Sequence, residues 1–167
     1  RAGLTGDDDH LVPAQRVPIV RDGIFVGYLS SRESIEQLRE IVGDRAPAMS
    51  GGAMRADGWN RIPIVRMTNV NLEPGEWEFD DLVADTDDGL YMELNRSWSI
   101  DDKRLNFQFG TEIAYEIKNG KMGRMIKNAT YTGITPQFWG SCDAICNANH
   151  WRVWGTPNCG KGQPSQV

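Results

Sequence analysis

The stretch Trp98-Ser99-Ile100-Asp101-Asp102, followed closely by Leu105-Asn106-Phe107-Gln108-Phe109, decides the fold class. Apolar and polar residues alternate on both sides of the aspartates, which is typical of two β-strands that each have one buried face. Further apolar runs at 113–117 and 122–126 flank the pair Asn119-Gly120. Because this pair tolerates positive φ at both turn positions, it predicts a β-hairpin. A last run at 129–134 completes a predicted antiparallel meander.

A second hairpin is predicted nearer the start of the chain, where runs at 17–21 and 24–28 flank Asp22-Gly23. A helix is predicted over 30–43, with Ser30 and Glu33 as a capping box and Gly43 as its stop. Its expected apolar face is made of the residues Ile35, Leu38, Ile41 and Val42.

The middle of the chain is predicted to be irregular over 43–62, because Pro47 and several glycines interrupt it. A strand over 64–72, a short helix over 78–84 and a strand over 90–94 follow. Near the end, Thr135-Pro136 predicts the start of a helix over 136–147, and 151–154 reads as a last strand.

These predictions add up to at least six strands, mostly joined by short turns, and about three helices. No βαβα alternation is present, which argues against a doubly wound sheet. We expect a single domain, residues 1–167, of α+β class and mainly antiparallel β. Its expected architecture is twisted sheets or a barrel-like core of β-hairpins, with the helices at the periphery.

The chain of 167 residues carries a net charge of −5 and has a pI of about 5.0, which argues against a nucleic-acid partner. No apolar stretch is long enough to span a membrane, so we expect no membrane contact. Three cysteines, an odd number, favour a reducing compartment over a disulfide framework. The absence of an initiator Met before Arg1 suggests that the chain is part of a larger protein.

Cys159 lies in a loop of glycines, prolines and small polar residues at 155–164, where its thiolate could reach a zinc ion. One possible ligand set joins it to Cys142, Cys146 and His150, since Cys142 and Cys146 would share one face of the predicted helix. The spacing matches no common zinc pattern, and buried free cysteines also occur as small apolar residues. Both interpretations remain open at this point.

Other chemistry is also conceivable in the same region. Cys159 could act as a nucleophile if His150 served as its base, and Lys161 could lower the pKa of the thiol. His10 lies in an acidic loop, where solvent exposure is the expected role. Neither histidine is followed by Glu, so the metal-binding helix motif H-E-x-x-H is absent from these residues.

Four short sequence motifs, in this order along the chain, resemble motifs of the TldD/PmbA family, which is also called modulator of DNA gyrase. The hairpin at 20–28 is similar to the family's E-N-G-x-x-x-G-Y, and 63–69 resembles its P-R-M-T-N strand. The segment 116–130 is similar to the family's I-E-N-G-K segment with the strand that follows it. The loop at 158–163 resembles its C-G-K-x-G-Q loop. The resemblance covers nearly the whole chain.

The resemblance implies the C-terminal domain of a TldD-type subunit, which forms a cytoplasmic heterodimer with TldE (PmbA) and degrades unfolded or small peptides. In that family an H-E-x-x-x-H helix supplies two zinc ligands and a general base, and the loop cysteine supplies the third ligand. Only Cys159 carries over. The helix is expected upstream of Arg1, so this fragment alone is expected neither to bind zinc nor to cleave peptides.

The segment 66–69 is the candidate for one wall of a peptide groove, with Arg66, Thr68 and Asn69 as binding residues. Capture by strand addition would explain low sequence specificity, because the backbone makes the hydrogen bonds. Ordinary packing within a sheet is the other interpretation of these residues. The alternative function is a non-catalytic scaffold of TldE type or a gyrase-modulating partner, and a homo-oligomer could replace the heterodimer.

Overall fold

The computed structural model describes residues 12–56, 58–67 and 69–155, and the backbone of 161–162 and 165–166. These residues belong to two compact units, Arg1–Leu72 with Trp154–Val167 and Glu73–Val153, and each is described by itself. All pairings between the named strands are antiparallel, and α-helices of six to nine residues accompany them. The predicted α+β class is therefore confirmed, and no closed barrel occurs in the described part of the chain.

The first unit begins with the hairpin predicted from Asp22-Gly23. Strands β1 (Val20–Arg21) and β2 (Ile24–Phe25) pair antiparallel, with Val20 opposite Phe25. Asp22 and Gly23 have φ values of 51° and 73°, which is the geometry of a two-residue turn with both central residues left-handed. The prediction is confirmed, although each strand is only two residues long.

Helix α1 (Ser34–Val42) begins four residues later than predicted, and the predicted capping box is wrong. Ser31 takes the capping role, since its Oγ accepts the Ser34 N–H at 3.0 Å while the Ser34 Oγ accepts the Ser31 N–H at 2.9 Å. Ser30 is fully buried, and its Oγ and C=O accept the N–H groups of Gly51 and Ala53. A tertiary contact therefore removes Ser30 from the helix terminus.

Gly43 follows α1 as its C-cap, as predicted. The predicted apolar face is only partly correct, because Ile35 is buried whereas Ile41 is 79% exposed. A turn of 3₁₀ helix, Gly43–Arg45, then continues the chain.

We predict that Ser31→Ala destabilises the protein by about 1 kcal/mol, the usual cost of losing an N-cap hydroxyl. The substitution removes the hydroxyl of Ser31, a nearly fully buried residue, and leaves the half-buried Ser34 N–H without its acceptor. Urea unfolding of the purified protein measures the effect. Ser99→Ala is the matched control, since Ser99 is exposed on a strand, and an equal loss in both variants would contradict the capping role.

Strands β3 (Met54–Arg55) and β4 (Ile64–Val65) form a short ribbon in the same unit. Met54 lies opposite Val65, and the Arg66 N–H extends the pairing by donating to Ala53 C=O at 2.9 Å. The predicted strand over 64–72 is therefore too long, and the predicted irregular segment over 43–62 contains β3. Ile35, Ala53 and Met54 are among the buried apolar residues of this unit.

The second unit contains a helix, four strands and a further short helix. In chain order these are α2 (Phe79–Asp85), β5 (Asp88–Ile100), β6 (Asn106–Lys118), β7 (Lys121–Met125), β8 (Thr130–Ile134) and α3 (Thr135–Gly140). The separate strands predicted at 90–94 and 98–100 are one strand, and so are those predicted at 105–109 and 113–117. The short helix before the sheet is confirmed, and so is the meander from β5 to β7, but β8 pairs with β6 instead of β7.

Strand β6 is the centre of this sheet. It pairs with β5 along one edge, and on the other edge it pairs with β8 through its first half and with β7 through its second half. The turn from β6 to β7 is the predicted Asn119-Gly120 pair, with φ values of 48° and 71°. Ala114 and Ile117 of β6 are buried.

A one-residue β-bulge in β5 determines which side chains share a face of the sheet. The register moves from Asn95 opposite Thr111 to Ser97 opposite Gly110, so that Arg96 is the extra residue. Tyr91 lies opposite Tyr115 and Trp98 lies opposite Phe109. Because Tyr115 and Phe109 share a face of β6, Tyr91 and Trp98 share it as well, although they are an odd number of residues apart.

The predicted helix over 136–147 is wrong in its second half, because α3 ends at Gly140. The chain then extends, and Cys146 forms a parallel bridge with Trp77. At Gly75, a Cβ would lie 2.4 Å from the Ile145 carbonyl oxygen, so only glycine permits this approach. Residues 151–155 form no strand, contrary to the prediction.

The last elements belong to the first unit. Strands β9 (Lys161–Gly162) and β10 (Ser165–Gln166) pair antiparallel, with Gly162 opposite Ser165. None of the helices within the described ranges combines the length and the apolar character needed to cross a bilayer.

Candidate functional site

A groove of about 230 Å³ lies in the first unit, between the N-terminal turn of α1 and the β3–β4 ribbon. Polar side chains form its α1 wall and mainly apolar residues form the other wall; they are Ser31, Glu33, Ser34, Gln37, Met54, Pro63, Ile64 and Val65. One edge of β4 pairs with β3, and no described strand pairs with its other edge. A groove with one polar and one mainly apolar wall is suited to contact the side chains and backbone of a peptide.

The residues predicted to bind peptide follow directly after β4. Arg66 is only 4% exposed, so its guanidinium is part of the interior of the unit. Asn69 is exposed, and Thr68 lies outside the described residues. The structure thus places Arg66 and Asn69 close in sequence to the groove but in different surroundings. Peptide binding by these three residues stays a prediction.

The predicted zinc ligand Cys159 lies outside the described residues, as does His10. The β9–β10 pair begins two residues after Cys159. The ligand set remains a prediction for this loop.

The alternative zinc set combined Cys142, Cys146 and His150 with Cys159. The positions of its three described members, Cys142, Cys146 and His150, do not support it. Cys142 and Cys146 do not share a helix face, because both follow the end of α3. Their thiols are free, and the Cys142 Sγ lies 3.8 Å from the Ala144 carbonyl oxygen. No group of three or more His, Cys, Asp or Glu residues in the described ranges is placed to hold a metal ion.

His150 instead belongs to a hydrogen-bonded cluster in the second unit. Its Nε2 lies 2.8 Å from Oε2 of Glu78, the residue before α2, and the Asn147 side-chain amide donates to Glu78 Oε1 at 2.5 Å. Phe79 packs against both the His150 and the Tyr91 rings, with centroid distances of 6.2 and 5.3 Å. Through these hydrogen bonds and ring contacts, the segment at 144–150 packs against the start of α2.

The pKa of Glu78 is lowered, first by the hydrogen bond from His150 and then by that from Asn147. The pKa of Tyr91 is raised, mainly by burial and then by its hydrogen bond to Glu93, which measures 3.0 Å. Both shifts have a structural explanation, and the raised pKa of Tyr91 keeps its hydroxyl protonated beside Glu93. We therefore assign it a role in holding the chain in place.

We predict that Glu78→Gln lowers the midpoint of thermal unfolding above pH 4.5, the ordinary Glu pKa, because the folded state favours the charged carboxylate. The stability that Glu78 provides should disappear as the pH falls through its lowered pKa, since the protonated group loses its charge-assisted bonds. Thermal unfolding at a series of pH values measures the difference. Asp80→Asn, in the first turn of α2, controls for loss of an acidic charge, and a pH-independent difference would contradict the assignment.

The contact between Glu78 and His150 could not be found from the sequence. The two residues are 72 positions apart, and neither lies in a motif that refers to the other. The nearest signal was the acidic start of the predicted helix at 78–84. It indicated a helix terminus and gave no information on a distant partner.

The sequence matches the PmbA/TldA metallopeptidase C-terminal domain over residues 3–165. It is 36% identical over 138 residues to a metalloprotease of Methanocaldococcus jannaschii, covering 83% of this chain and 29% of the relative. It is 32% identical over 133 residues to a metalloprotease TldD homologue of Haemophilus influenzae, covering 80% of this chain and 26% of the relative. The chain thus spans less than a third of the length of these relatives.

Among solved structures, the fold is similar to that of TldE from Thermococcus kodakarensis. The TM-score is 0.61 at 19% sequence identity, and the match covers 80% of this chain and 28% of that chain. This likeness establishes the fold.

Proposed function

Because this chain belongs to the family of PmbA/TldA metallopeptidase C-terminal domains, we propose that it is the C-terminal part of a zinc-dependent peptidase that acts on unfolded or small peptides. The observation that carries the proposal is the family match over residues 3–165, together with the relatives named metalloproteases. In this proposal the 167 residues form one domain of a longer chain.

Cys159 would supply one zinc ligand. A cysteine thiolate suits zinc, and Gly160 and Gly162, which follow Cys159 in the sequence, carry no side chain that would compete with other ligands. As the family resemblance implies, the other two ligands would be the histidines of an H-E-x-x-x-H helix upstream of Arg1. The bound zinc would supply Lewis-acid chemistry at the peptide carbonyl.

The groove beside β4 would hold part of the peptide. Ser31, Ser34 and Gln37 offer polar groups on one wall, and the ribbon residues Met54, Ile64 and Val65 form the facing wall, along which an extended peptide backbone would lie. Backbone pairing makes the same bonds with every sequence, which fits a preference for unfolded chains over a particular residue. Exposed Asn69 could contact such a peptide, whereas buried Arg66 would support the ribbon from within.

We further propose that the protein works in the cytoplasm with a TldE-like partner subunit, or as a homo-oligomer. The free thiols of Cys142 and Cys146 fit a reducing compartment.

The test uses the full-length protein, purified alone and with its partner subunit. We expect stoichiometric zinc and cleavage of a short unstructured peptide and a denatured protein, with folded protein left intact. Removal of zinc by a chelator should stop cleavage, and its return should restore it. A complex that assembles but contains no zinc would overturn the proposal and favour the alternative, a non-catalytic scaffold of TldE type or a gyrase-modulating partner.

A further inference from the structure

One face of the sheet in the second unit carries a continuous set of aromatic and apolar side chains, here called the aromatic face. It consists of Trp98, Ile100, Phe107, Phe109 and Tyr131 on the strands, and of Phe138 of α3, which packs against them. The ring centroids of Phe107 and Phe138 are 5.2 Å apart, and those of Phe109 and Tyr131 are 5.6 Å apart. The face is therefore a packed surface and not a set of scattered side chains.

This packed surface is partly open to solvent: Phe107, Phe109 and Tyr131 at its centre are half-buried, and the residues at its margins are exposed. Trp98 is 60% exposed, and Trp139, which packs against Phe138 with centroids 5.3 Å apart, is 55% exposed. The opposite face of the same strands carries polar residues, with Ser99 opposite Gln108 and Gln108 opposite Thr132. A sheet with one polar and one apolar face is expected to have the apolar face covered.

The second unit has little buried apolar surface to hold it together. Val83, Ala114 and Ile117 are the only buried apolar side chains among its described residues. A unit of this size needs a larger core to be stable. A permanent cover would provide that burial, whereas a substrate that binds and leaves would not.

In the longer chain proposed above, the part outside these residues would be long enough to provide such a cover. The relatives of this chain have more than two thirds of their length outside the matched stretch. A segment of the same chain would also be present at one copy per sheet at all times. The charged residues between Arg96 and Glu112 balance, with Arg96, Lys103 and Arg104 against Asp101, Asp102 and Glu112, so an uncharged apolar surface is the complement.

We propose that the aromatic face is the surface on which the portion of the same polypeptide lying outside these 167 residues packs. The proposal rests on the proposed function only in that the chain is part of a longer one. It adds an interface that neither the zinc ligand nor the peptide groove requires.

The test places the photo-reactive residue p-benzoylphenylalanine at position 98 of the full-length protein. We expect irradiation to cross-link position 98 to a segment of the same polypeptide outside these 167 residues. Because this cross-link is intramolecular, the monomer band on a denaturing gel should keep its intensity. The same residue at position 99, on the polar face, should lose this product. A cross-link to a second chain, to the peptide substrate, or within the 167 residues would overturn the proposal, as would no cross-link at all.

A second measurement does not depend on the photo-reaction. Trp98→Ser should lower the midpoint of thermal unfolding of the full-length protein by several degrees, whereas Ser99→Ala should leave it unchanged. Equal midpoints for the two variants would also overturn the interface. Zinc content measured on the same preparations separates the two proposals, since the interface can fail while zinc binding and peptide cleavage persist.

Discussion

Replacement of Cys159 by alanine is expected to abolish both zinc binding and peptide cleavage by the full-length protein. Loss of a group that only orients a ligand weakens metal binding by about 10- to 100-fold, and loss of the ligand itself should exceed that. Alanine offers no donor atom, so no part of the interaction remains. Metal content after dialysis and the rate of peptide cleavage measure the result.

Two further variants make this prediction specific. Cys142→Ala removes an exposed thiol from the second unit and should leave zinc content and cleavage unchanged. Cys159→His keeps a donor that zinc accepts, so it should retain part of the metal. Full zinc content in Cys159→Ala would remove Cys159 from the site, while loss of zinc in Cys142→Ala would return the alternative ligand set to consideration.

Gly120→Ala is expected to be the most damaging of the glycine substitutions in the described residues, because two costs combine there. Gly120 has φ of +71°, and a Cβ would lie 2.5 Å from the Ala84 carbonyl oxygen. The left-handed conformation costs a non-glycine residue about 1–2 kcal/mol. Forcing an extra methyl group against packed backbone costs about 1–3 kcal/mol more. Chemical unfolding should therefore show a loss of roughly 2–5 kcal/mol.

Other glycines of the same chain separate the two costs. Gly23 occupies the same turn position with φ of +73°, but no atom lies within 4 Å of its added Cβ, so Gly23→Ala measures the backbone cost alone. Gly75→Ala measures the steric cost, and Gly140→Ala, which meets open space, should be neutral. If Gly120→Ala lowered the free energy of unfolding no more than Gly23→Ala does, the backbone at Ala84 would have to move aside without energetic cost.

Local sequence predicted those elements whose geometry is determined locally. Asp22-Gly23 and Asn119-Gly120 form the predicted turns because both residues of each pair adopt positive φ. The alternation within 98–109 predicted strands correctly, since one face of β5 and β6 differs in polarity from the other.

Errors arose where distant parts of the chain compete for the same backbone. Ser30 had the composition of a helix cap, but its hydrogen bonds go to Gly51 and Ala53. Beyond Gly140 the chain is extended and not helical as predicted, because Cys146 forms a β-bridge with Trp77. Such contacts leave no periodic signal in either partner.

The candidate site shows the same division. Short local motifs led to the prediction of the segment after β4 and of the Cys159 loop, and the roles of both stay predictions. It gave no indication that Arg66 is buried, because burial depends on the packing of the whole unit. It also placed Cys142 and Cys146 on one helix face, a prediction that failed together with the helix.

The extra residue in β5 also determines where this strand can change in length during evolution. Arg96 is the extra residue where the register with β6 shifts between Asn95 and Ser97. Its deletion would remove this shift, with Trp98 still opposite Phe109. Deletion of Met92 or Ser99, in the regular parts of the strand, would turn the neighbouring side chains to the opposite face. Homologous genes that differ by one codon in this strand should therefore differ at position 96.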